Sequence, residues 1–152
     1  MRISVIGGSS VTDEEYDRAH DVGRLLAERG HAVVCGGRGG VMEAVCRGAR
    51  GAGGHTIGIL PGSRRAQANE YVQTAIATGM GNARNPLVVL NGDAAIAIDG
   101  GPGTLSELGH ALDFDRPVAG LGTHRIDGVD GIEHVDTPAE AVDHVENTYG
   151  RN

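Results

Sequence analysis

The sequence predicts an α/β fold, a three-layer Rossmann-like architecture with a mostly parallel sheet of about six or seven strands. Two observations carry this prediction. Short, continuously apolar runs alternate with longer amphipathic stretches along the 152 residues, a pattern typical of parallel strands buried beneath helices on both faces. The 26 glycines fall where apolar runs end and amphipathic stretches start, positions that need tight backbone turns. We therefore expect one Rossmann-like domain over residues 1–152.

In the first half of the chain, three apolar runs alternate with two amphipathic stretches. The first helix carries both start and stop signals, because Thr12 and Glu15 have capping-box spacing and Gly30 suits a helix end. The second amphipathic stretch ends in a run of glycines. The predicted elements are strands at residues 3–8, 31–37 and 56–62 and helices at residues 12–30 and 40–54.

The second half continues the alternation with shorter elements. Pro86 and Pro138 are tolerated only because each falls near the first turn of its helix. Residues 123–136 have the weakest pattern and leave room for one more short strand. The predicted elements are strands at residues 71–79, 93–101 and 116–122 and helices at residues 82–92, 103–115 and 137–150.

The composition excludes several classes of function. The net charge of −7 disfavours nucleic acid as a partner, because a phosphate backbone attracts a basic surface. All 13 basic residues are arginines, so the chain lacks the lysine of a P-loop and the lysine that binds pyridoxal phosphate. No apolar run reaches the ~18 residues of a membrane span, and no signal-peptide pattern is present. We expect a cytoplasmic protein without a membrane partner.

Three glycine clusters follow predicted strands: "GGSS" at residues 7–10, "GGRGGVM" at 36–42 and "DGGPGT" at 99–104. Parallel strands end at one edge of a sheet, so these clusters would gather the free N–H groups of helix starts there. Such amides and the helix dipole attract phosphate. Glycine can also serve only to permit a turn, but three clusters at one edge favour an anion-binding cleft. The fingerprint G-x-G-x-x-G is absent, which argues against ordinary NAD binding.

Two charged residues are candidates for chemistry beside such an anion. Glu107 has two open interpretations: with Thr104 it has capping-box spacing, or its carboxylate stabilises a cationic sugar carbon or activates the attacking water. Arg84 lies either on a solvated helix face or in the cleft, where an acidic protein needs a positive group to hold an anion. Arg38 is the next candidate for that task.

The sequence predicts neither a metal nor a cofactor. Glu107 and His110 form one ExxH pair, which can place two ligands on one helix face, but no second copy accompanies it. HExxH and GxSxG are both absent, so the metalloprotease and serine hydrolase patterns are not met.

Taken together, the three clusters resemble the Lonely Guy family of cytokinin-activating phosphoribohydrolases. "GGSS" is similar to the family's first glycine-serine turn, "GGRGGVMEAV" to its motif GGxxGLMGAV, and "DGGPGTLSE" to its signature PGGxGTxxE. The interval of 23 residues from Arg84 to Glu107 agrees with the family's interval between catalytic Arg and Glu. The resemblance covers residues 3 to 120 and is carried mainly by the signature with its upstream arginine.

The resemblance implies a Rossmann-like homodimer that hydrolyses the N-glycosidic bond of a nucleoside 5′-monophosphate to a free base and ribose 5-phosphate. It implies Glu107 and Arg84 as the catalytic pair. We expect a small phosphorylated ligand, a homo-oligomer and no pyridoxal-phosphate decarboxylase activity. With the glycine clusters included, the residues expected to hold the ligand are Gly8, Ser9, Ser10, Gly37, Arg38, Gly39, Gly40, Met42, Asn85, Gly100, Gly101, Gly103 and Thr104.

The chain also departs from the family pattern. Asp99 stands where the family has proline, Asn85 where it usually has lysine, and Glu43 where it has a small glycine. The segment between the third strand and Arg84 is shorter than in the cytokinin enzymes. Molybdenum cofactor carrier proteins resemble the same architecture and bind a phosphorylated pterin without hydrolysing it. A non-catalytic carrier or sensor of a nucleotide-like ligand is therefore the alternative hypothesis.

Overall fold

The computed structural model describes residues 1–149, which form seven strands and five α-helices. The strands are β1 (Arg2–Gly7), β2 (Ala32–Cys35), β3 (Thr56–Leu60), β4 (Thr74–Ala77), β5 (Ala94–Ile98), β6 (Val118–Leu121) and β7 (Ile132–Val135). The helices are α1 (Asp13–Glu28), α2 (Val41–Gly51), α3 (Asn85–Leu90), α4 (Pro102–Asp113) and α5 (Pro138–Tyr149). Short 3₁₀ turns cover Arg65–Gln67 and Gly81–Arg84.

The seven strands form one sheet in the order β4-β3-β2-β1-β5-β6-β7. Every pair of neighbours runs parallel. Helices α1, α2 and α5 bury their apolar side chains against one face of the sheet, and α3 and α4 cover the other. The predicted three-layer Rossmann-like fold is confirmed, with the sheet entirely parallel rather than mostly so.

The predicted elements are present, and the differences have local causes. The strand expected at 71–79 shortens to β4 because Asn69 holds the preceding residues in a turn: its Oδ1 accepts from Tyr71 N at 3.0 Å and its carbonyl from Val72 N at 3.2 Å. The weakly patterned segment 123–136 contains β7. The last residue of the helix expected at 137–150 lies outside the described residues.

Two helix features follow the sequence signals closely. The capping box of α1 is confirmed, because the Thr12 side chain accepts from Glu15 N at 3.2 Å and Glu15 Oε1 accepts from Thr12 N at 3.3 Å. Pro86 occupies the first turn of α3.

Within residues 1–149, no helix has both the length and the apolar character needed to cross a membrane.

Helices α1 and α2 pack with their backbones in direct contact. Both crossing points are glycines: a methyl group on Gly23 would overlap the Val45 carbonyl, and one on Gly48 would overlap the His20 carbonyl and lie 3.0 Å from Arg24 N. These contacts hold the two helices close over β1 and β2. Helix α2 starts at Val41, within the second glycine cluster.

We expect Gly48→Ala to lower the free energy of unfolding by about 1–3 kcal/mol, because the added methyl group forces the two helices apart. The measurement is urea unfolding followed by circular dichroism. The matched control is Gly109→Ala in α4, where an added methyl group meets nothing within 4 Å. That change should stabilise the protein by roughly 0.5–1 kcal/mol through reduced chain entropy. Equal effects of the two substitutions would contradict the close-contact explanation.

Candidate active site

A cleft of about 240 Å³ opens at the carboxyl edge of the sheet. It lies at the point where the strand order reverses, between β1 and β5, which is where ligands bind on open parallel sheets. Four segments face it: the end of β1 with the loop after it, the stretch from β2 into α2, the turn before α3, and the start of α4. Its lining residues are Val5, Ile6, Gly7, Gly8, Ser9, Gly36, Met42, Asn82, Arg84, Asn85, Gly101, Pro102, Gly103, Thr104 and Glu107.

The start of α4 supplies the donors for an anion. The helix begins at Pro102 with Gly101 as its cap residue, and no side chain bonds to the cap. Gly103 and Thr104 therefore present backbone N–H groups without a partner inside the helix, at the positive end of its dipole. Gly100, with φ +113°, lies directly against the Thr104 side chain. This geometry suits a phosphate held by backbone amides.

The first glycine cluster forms the opposite wall of the cleft. Gly8 and Ser9 line it, whereas Ser10 is exposed outside the lining. The Gly8 carbonyl accepts a hydrogen bond from Val41 N at 3.0 Å, so this loop is tied to the start of α2. Gly40 has φ +64°, and a methyl group there would overlap the Gly8 carbonyl. The loop after β1 and the start of α2 thus support each other.

Most of the second glycine cluster packs rather than lines the cleft. Gly36 and Met42 reach the lining, but Gly37, Arg38, Gly39 and Gly40 do not. A methyl group on Gly37, which has φ +79°, would lie 2.7 Å from the Leu60 side chain. Arg38 is exposed, and its Nη1 donates to the Gln67 carbonyl at 3.5 Å. Gly100 likewise supports Thr104 from behind the lining.

The Arg84 guanidinium is held in a fixed position at the base of the cleft. Its Nε donates to the Ile59 carbonyl at 2.9 Å, its Nη2 to the Gly36 carbonyl at 3.4 Å, and its Nη1 to Asn85 Oδ1. The residue is 8% exposed. Burial lowers the pKa of Arg84, and the nearby Glu107 charge opposes that effect. Gly36 is required here, since a methyl group would lie 2.7 Å from Arg84 Nη2.

Glu107 is buried in the same cleft, with 8% of its surface exposed. Burial raises the pKa of the Glu107 carboxyl to about 7, and the Arg84 charge opposes that shift. Glu107 lines the cleft, so its carboxyl group is open to a bound ligand or to water. A carboxyl group whose pKa lies near neutral pH is suited to accept a proton from water.

The capping interpretation of Glu107 is wrong. A capping box requires Thr104 to precede the helix, but α4 starts two residues earlier and Thr104 is its third residue. The side chain that bonds within this first turn is Ser106, whose Oγ donates to the Gly103 carbonyl at 2.9 Å and accepts from Asn85 Nδ2 at 3.4 Å. Glu107 therefore lies in the second turn of α4, on its cleft side.

Six lining residues were not among the predicted site residues. Gly7, Gly36 and Pro102 lie inside the quoted glycine clusters, so the signal for them was present. Asn82 lies two residues before Arg84, in the 3₁₀ turn. No sequence signal distinguishes the other two, Val5 and Ile6, from ordinary strand residues.

No group of three His, Cys, Asp or Glu side chains with the geometry of a metal site occurs within residues 1–149. His110, the second member of the ExxH pair, stacks on Phe114 with ring centroids 6.1 Å apart. Its ring therefore packs along α4.

Comparison with known proteins agrees with this architecture. The model of the SLOG cluster4 family matches residues 1–149. A protein of Archaeoglobus fulgidus, described as uncharacterized, is 42% identical over 95% of this chain and 93% of its own length. The cytokinin riboside 5′-monophosphate phosphoribohydrolase of Mycobacterium tuberculosis is 35% identical over 80% of this chain, but the match spans only 65% of that enzyme.

Among solved structures, the molybdenum cofactor binding protein of Rippkaea orientalis superposes with a TM-score of 0.90. It is 34% identical, and the match covers 97% of this chain and 96% of that one. The match to the Mycobacterium tuberculosis phosphoribohydrolase confirms, at the level of the superfamily, the similarity to the Lonely Guy enzymes that the motifs predicted. The family match over residues 1–149 shows that the chain belongs to the SLOG cluster4 family.

Proposed function

We propose that this protein binds a nucleoside 5′-monophosphate and hydrolyses its N-glycosidic bond, releasing the free base and ribose 5-phosphate. The observation that carries the proposal is the buried Glu107 carboxyl, with a pKa of about 7, beside an anion site. The similarity to the Mycobacterium tuberculosis phosphoribohydrolase supports it.

The phosphate would bind to the N–H groups of Gly103 and Thr104 and to the loop at Gly8 and Ser9. As the bond between C1′ and the base nitrogen breaks, its electron pair leaves with the base and C1′ becomes cationic. The Glu107 carboxylate stabilises that charge and takes a proton from the attacking water, whose oxygen bonds to C1′. The base is released after it gains a proton from solvent.

Arg84 would keep Glu107 competent for that role. Its guanidinium is fixed by two backbone carbonyls and by Asn85, so its charge stays in one place rather than following the ligand. The charge lowers the pKa of Glu107 against the effect of burial. Arg84 thereby increases the ionised fraction of the carboxyl near neutral pH.

We further propose a cytoplasmic homo-oligomer that takes this small phosphorylated ligand and neither nucleic acid nor membrane. Three large apolar side chains support association with another copy: Ile76 is 44% exposed, Met80 49% and Leu90 46%. Ile76 lies on the edge strand β4, and Leu90 is the last residue of α3. Exposed apolar surface of this kind is common at protein interfaces.

The alternative is a carrier that binds a phosphorylated ligand without breaking it. The TM-score of 0.90 to the molybdenum cofactor binding protein of Rippkaea orientalis favours it. A carrier needs the same phosphate site but has no use for a carboxyl group beside it. The two hypotheses therefore differ in whether the protein hydrolyses the ligand or only binds it, and in whether that outcome depends on the Glu107 charge.

We expect Glu107→Gln to reduce base release from AMP by roughly 10²–10⁴-fold while AMP still binds, because the amide cannot accept the proton. Chromatography of the released base gives the rate and calorimetry gives the affinity. The matched control is Glu133→Gln on the exposed part of β7, which should leave the rate unchanged. AMP binding without base release by the unmodified protein would favour the carrier.

The pH dependence of turnover tests the pairing of Glu107 with Arg84. If Glu107 acts as the base, kcat should rise as the pH passes about 7, where its carboxyl ionises. Arg84→Gln should move this rise to higher pH, because the charge that lowers the pKa of Glu107 is lost. Arg24→Gln, which removes a surface charge paired with Glu28, should not move it. An unchanged midpoint in Arg84→Gln would contradict the proposed role of Arg84.

A further inference from the structure

Asp99 opens the third glycine cluster in an unusual backbone conformation. It has φ +50°, in the left-handed region that non-glycine residues seldom adopt. Thr123 Oγ1 donates to the Asp99 carbonyl at 2.8 Å, and Asp99 N donates to the Leu121 carbonyl at 3.4 Å. The turn that sends the chain from β5 into residues 99–104, here called the phosphate loop, is thus built on this residue.

The Asp99 side chain is directed toward α1. Its Oδ1 lies near Gly122, and a methyl group on that glycine would be 3.3 Å from Oδ1 and 3.0 Å from Arg18 Nη1. Its Oδ2 is buried and has no hydrogen-bond partner among residues 1–149. After burial itself, the interaction with the Glu15 carboxyl of α1 raises the pKa of Asp99 most.

Glu15 is already committed as an acceptor. Its Oε1 accepts from Thr12 N at 3.3 Å and from Thr12 Oγ1 at 2.9 Å in the capping box of α1. These bonds lower the pKa of the Glu15 carboxyl, so it stays ionised. An ionised carboxylate only accepts hydrogen bonds. A hydrogen bond between the two carboxyl groups therefore requires the proton to be on Asp99.

The charged and titratable groups around Asp99 come from two segments. Helix α1 contributes Glu14, Glu15 and Arg18, and the segment after β6 contributes His124, whose Nε2 lies 3.1 Å from the Gly101 carbonyl. Burial and Glu15 raise the pKa of Asp99 to about 6, and Arg18 opposes the shift. Arg18 is itself paired with Glu14 at 3.4 Å, which weakens its effect on Asp99.

We propose that Asp99 is a positioning residue: in its neutral form it donates a hydrogen bond to Glu15 and ties the phosphate loop to the first turn of α1. The first turn of α1 follows the loop at Gly8 and Ser9, so the bond connects the two walls of the cleft. When Asp99 ionises, it has no proton to donate, the two carboxylates repel each other and the hydrogen bond is lost. Because the loop holds the phosphate only under the proposed function, the expected effect on anion binding rests on that function.

The first arm of the test uses the protein without ligand. A raised pKa in the folded state means that the stability from this bond is present below about pH 4 and is lost as the pH rises through about 6. Asp99→Asn keeps a donor toward Glu15, tolerates positive φ and does not titrate. We compare the unfolding equilibrium constant of Asp99→Asn with that of the wild type at the same pH. Because only the wild type loses stability as the pH rises, we expect the ratio of variant to wild type to fall roughly tenfold or more between pH 4 and pH 7.

The control for this arm is Asp115→Asn. Asp115 is the other non-glycine residue with positive φ among residues 1–149, at +56°, and it is exposed at the end of α4. Its stability relative to wild type should not change with pH. A pH-independent difference for Asp99→Asn as well would overturn the proposal, whatever the protein binds.

The second arm measures sulfate binding by calorimetry from pH 5 to pH 7.5. Sulfate is the probe because the second ionisation of a phosphate ester lies near pH 6, whereas sulfate does not titrate in this range. A Glu107→Gln background removes the other carboxyl that titrates in the cleft. In that background we expect sulfate affinity to fall roughly fivefold or more with rising pH. Adding Asp99→Asn, or Glu15→Gln, which keeps the capping box, should abolish the fall.

A His124→Gln variant completes the second arm. The fall in affinity should survive this change, and its loss there would overturn the role of Asp99 in favour of His124. An absence of sulfate binding at every pH would count against the phosphate site of the proposed function. It would also count against the effect of Asp99 on anion binding. The bond between Asp99 and Glu15 would then be decided by the stability arm alone.

Discussion

The parallel pairing of β1 with β5 is the constraint on which the site depends. Five residue pairs, from Ile3 opposite Ala94 to Gly7 opposite Ile98, bring both strands to the same edge in register. The chain then leaves β1 for α1 on one face of the sheet and β5 for α4 on the other. The two loops therefore diverge, and the space between them is the cleft. Gly7 allows this pairing, since a side chain there would overlap the Ile98 carbonyl.

An anion site in a chain of net charge −7 needs favourable electrostatics from a local source. Backbone amides at the start of α4 provide it without side-chain charge. Arg84 adds one positive charge, held by carbonyl groups of two different strand ends, Ile59 and Gly36. Since no lysine is available, the field inside the cleft depends on backbone geometry. Three glycines with positive φ, Gly37, Gly40 and Gly100, lie in the clusters that surround the site.

The existence and order of the elements were predictable because their apolar periods are distinct, whereas the function of single residues was not. The pattern Thr104 to Glu107 fits a capping box, but the helix starts at Pro102, and sequence alone does not fix such a start to within two residues. Gly36 lines the cleft while Gly37 packs on Leu60. The two glycines are adjacent and identical, so only tertiary contacts separate their roles. The assignment of the whole chain to one domain stays a prediction.

Hydrolysis and carriage make different demands on Glu107. Burying an ionised carboxyl group is unfavourable, and a bound phosphate would add repulsion from a like charge. A protein that only holds a phosphorylated ligand would gain stability and affinity from a neutral residue at this position. A hydrolase has a reason to keep the carboxylate, because the same negative charge becomes favourable once the sugar carbon is cationic. The placement of Arg84, which favours the ionised form of Glu107 without pairing with it closely, is consistent with that second requirement. Under the proposed function, the start of α4 would hold the charge that the phosphate already carries, and Glu107 would stabilise the charge that develops at the sugar carbon during the reaction.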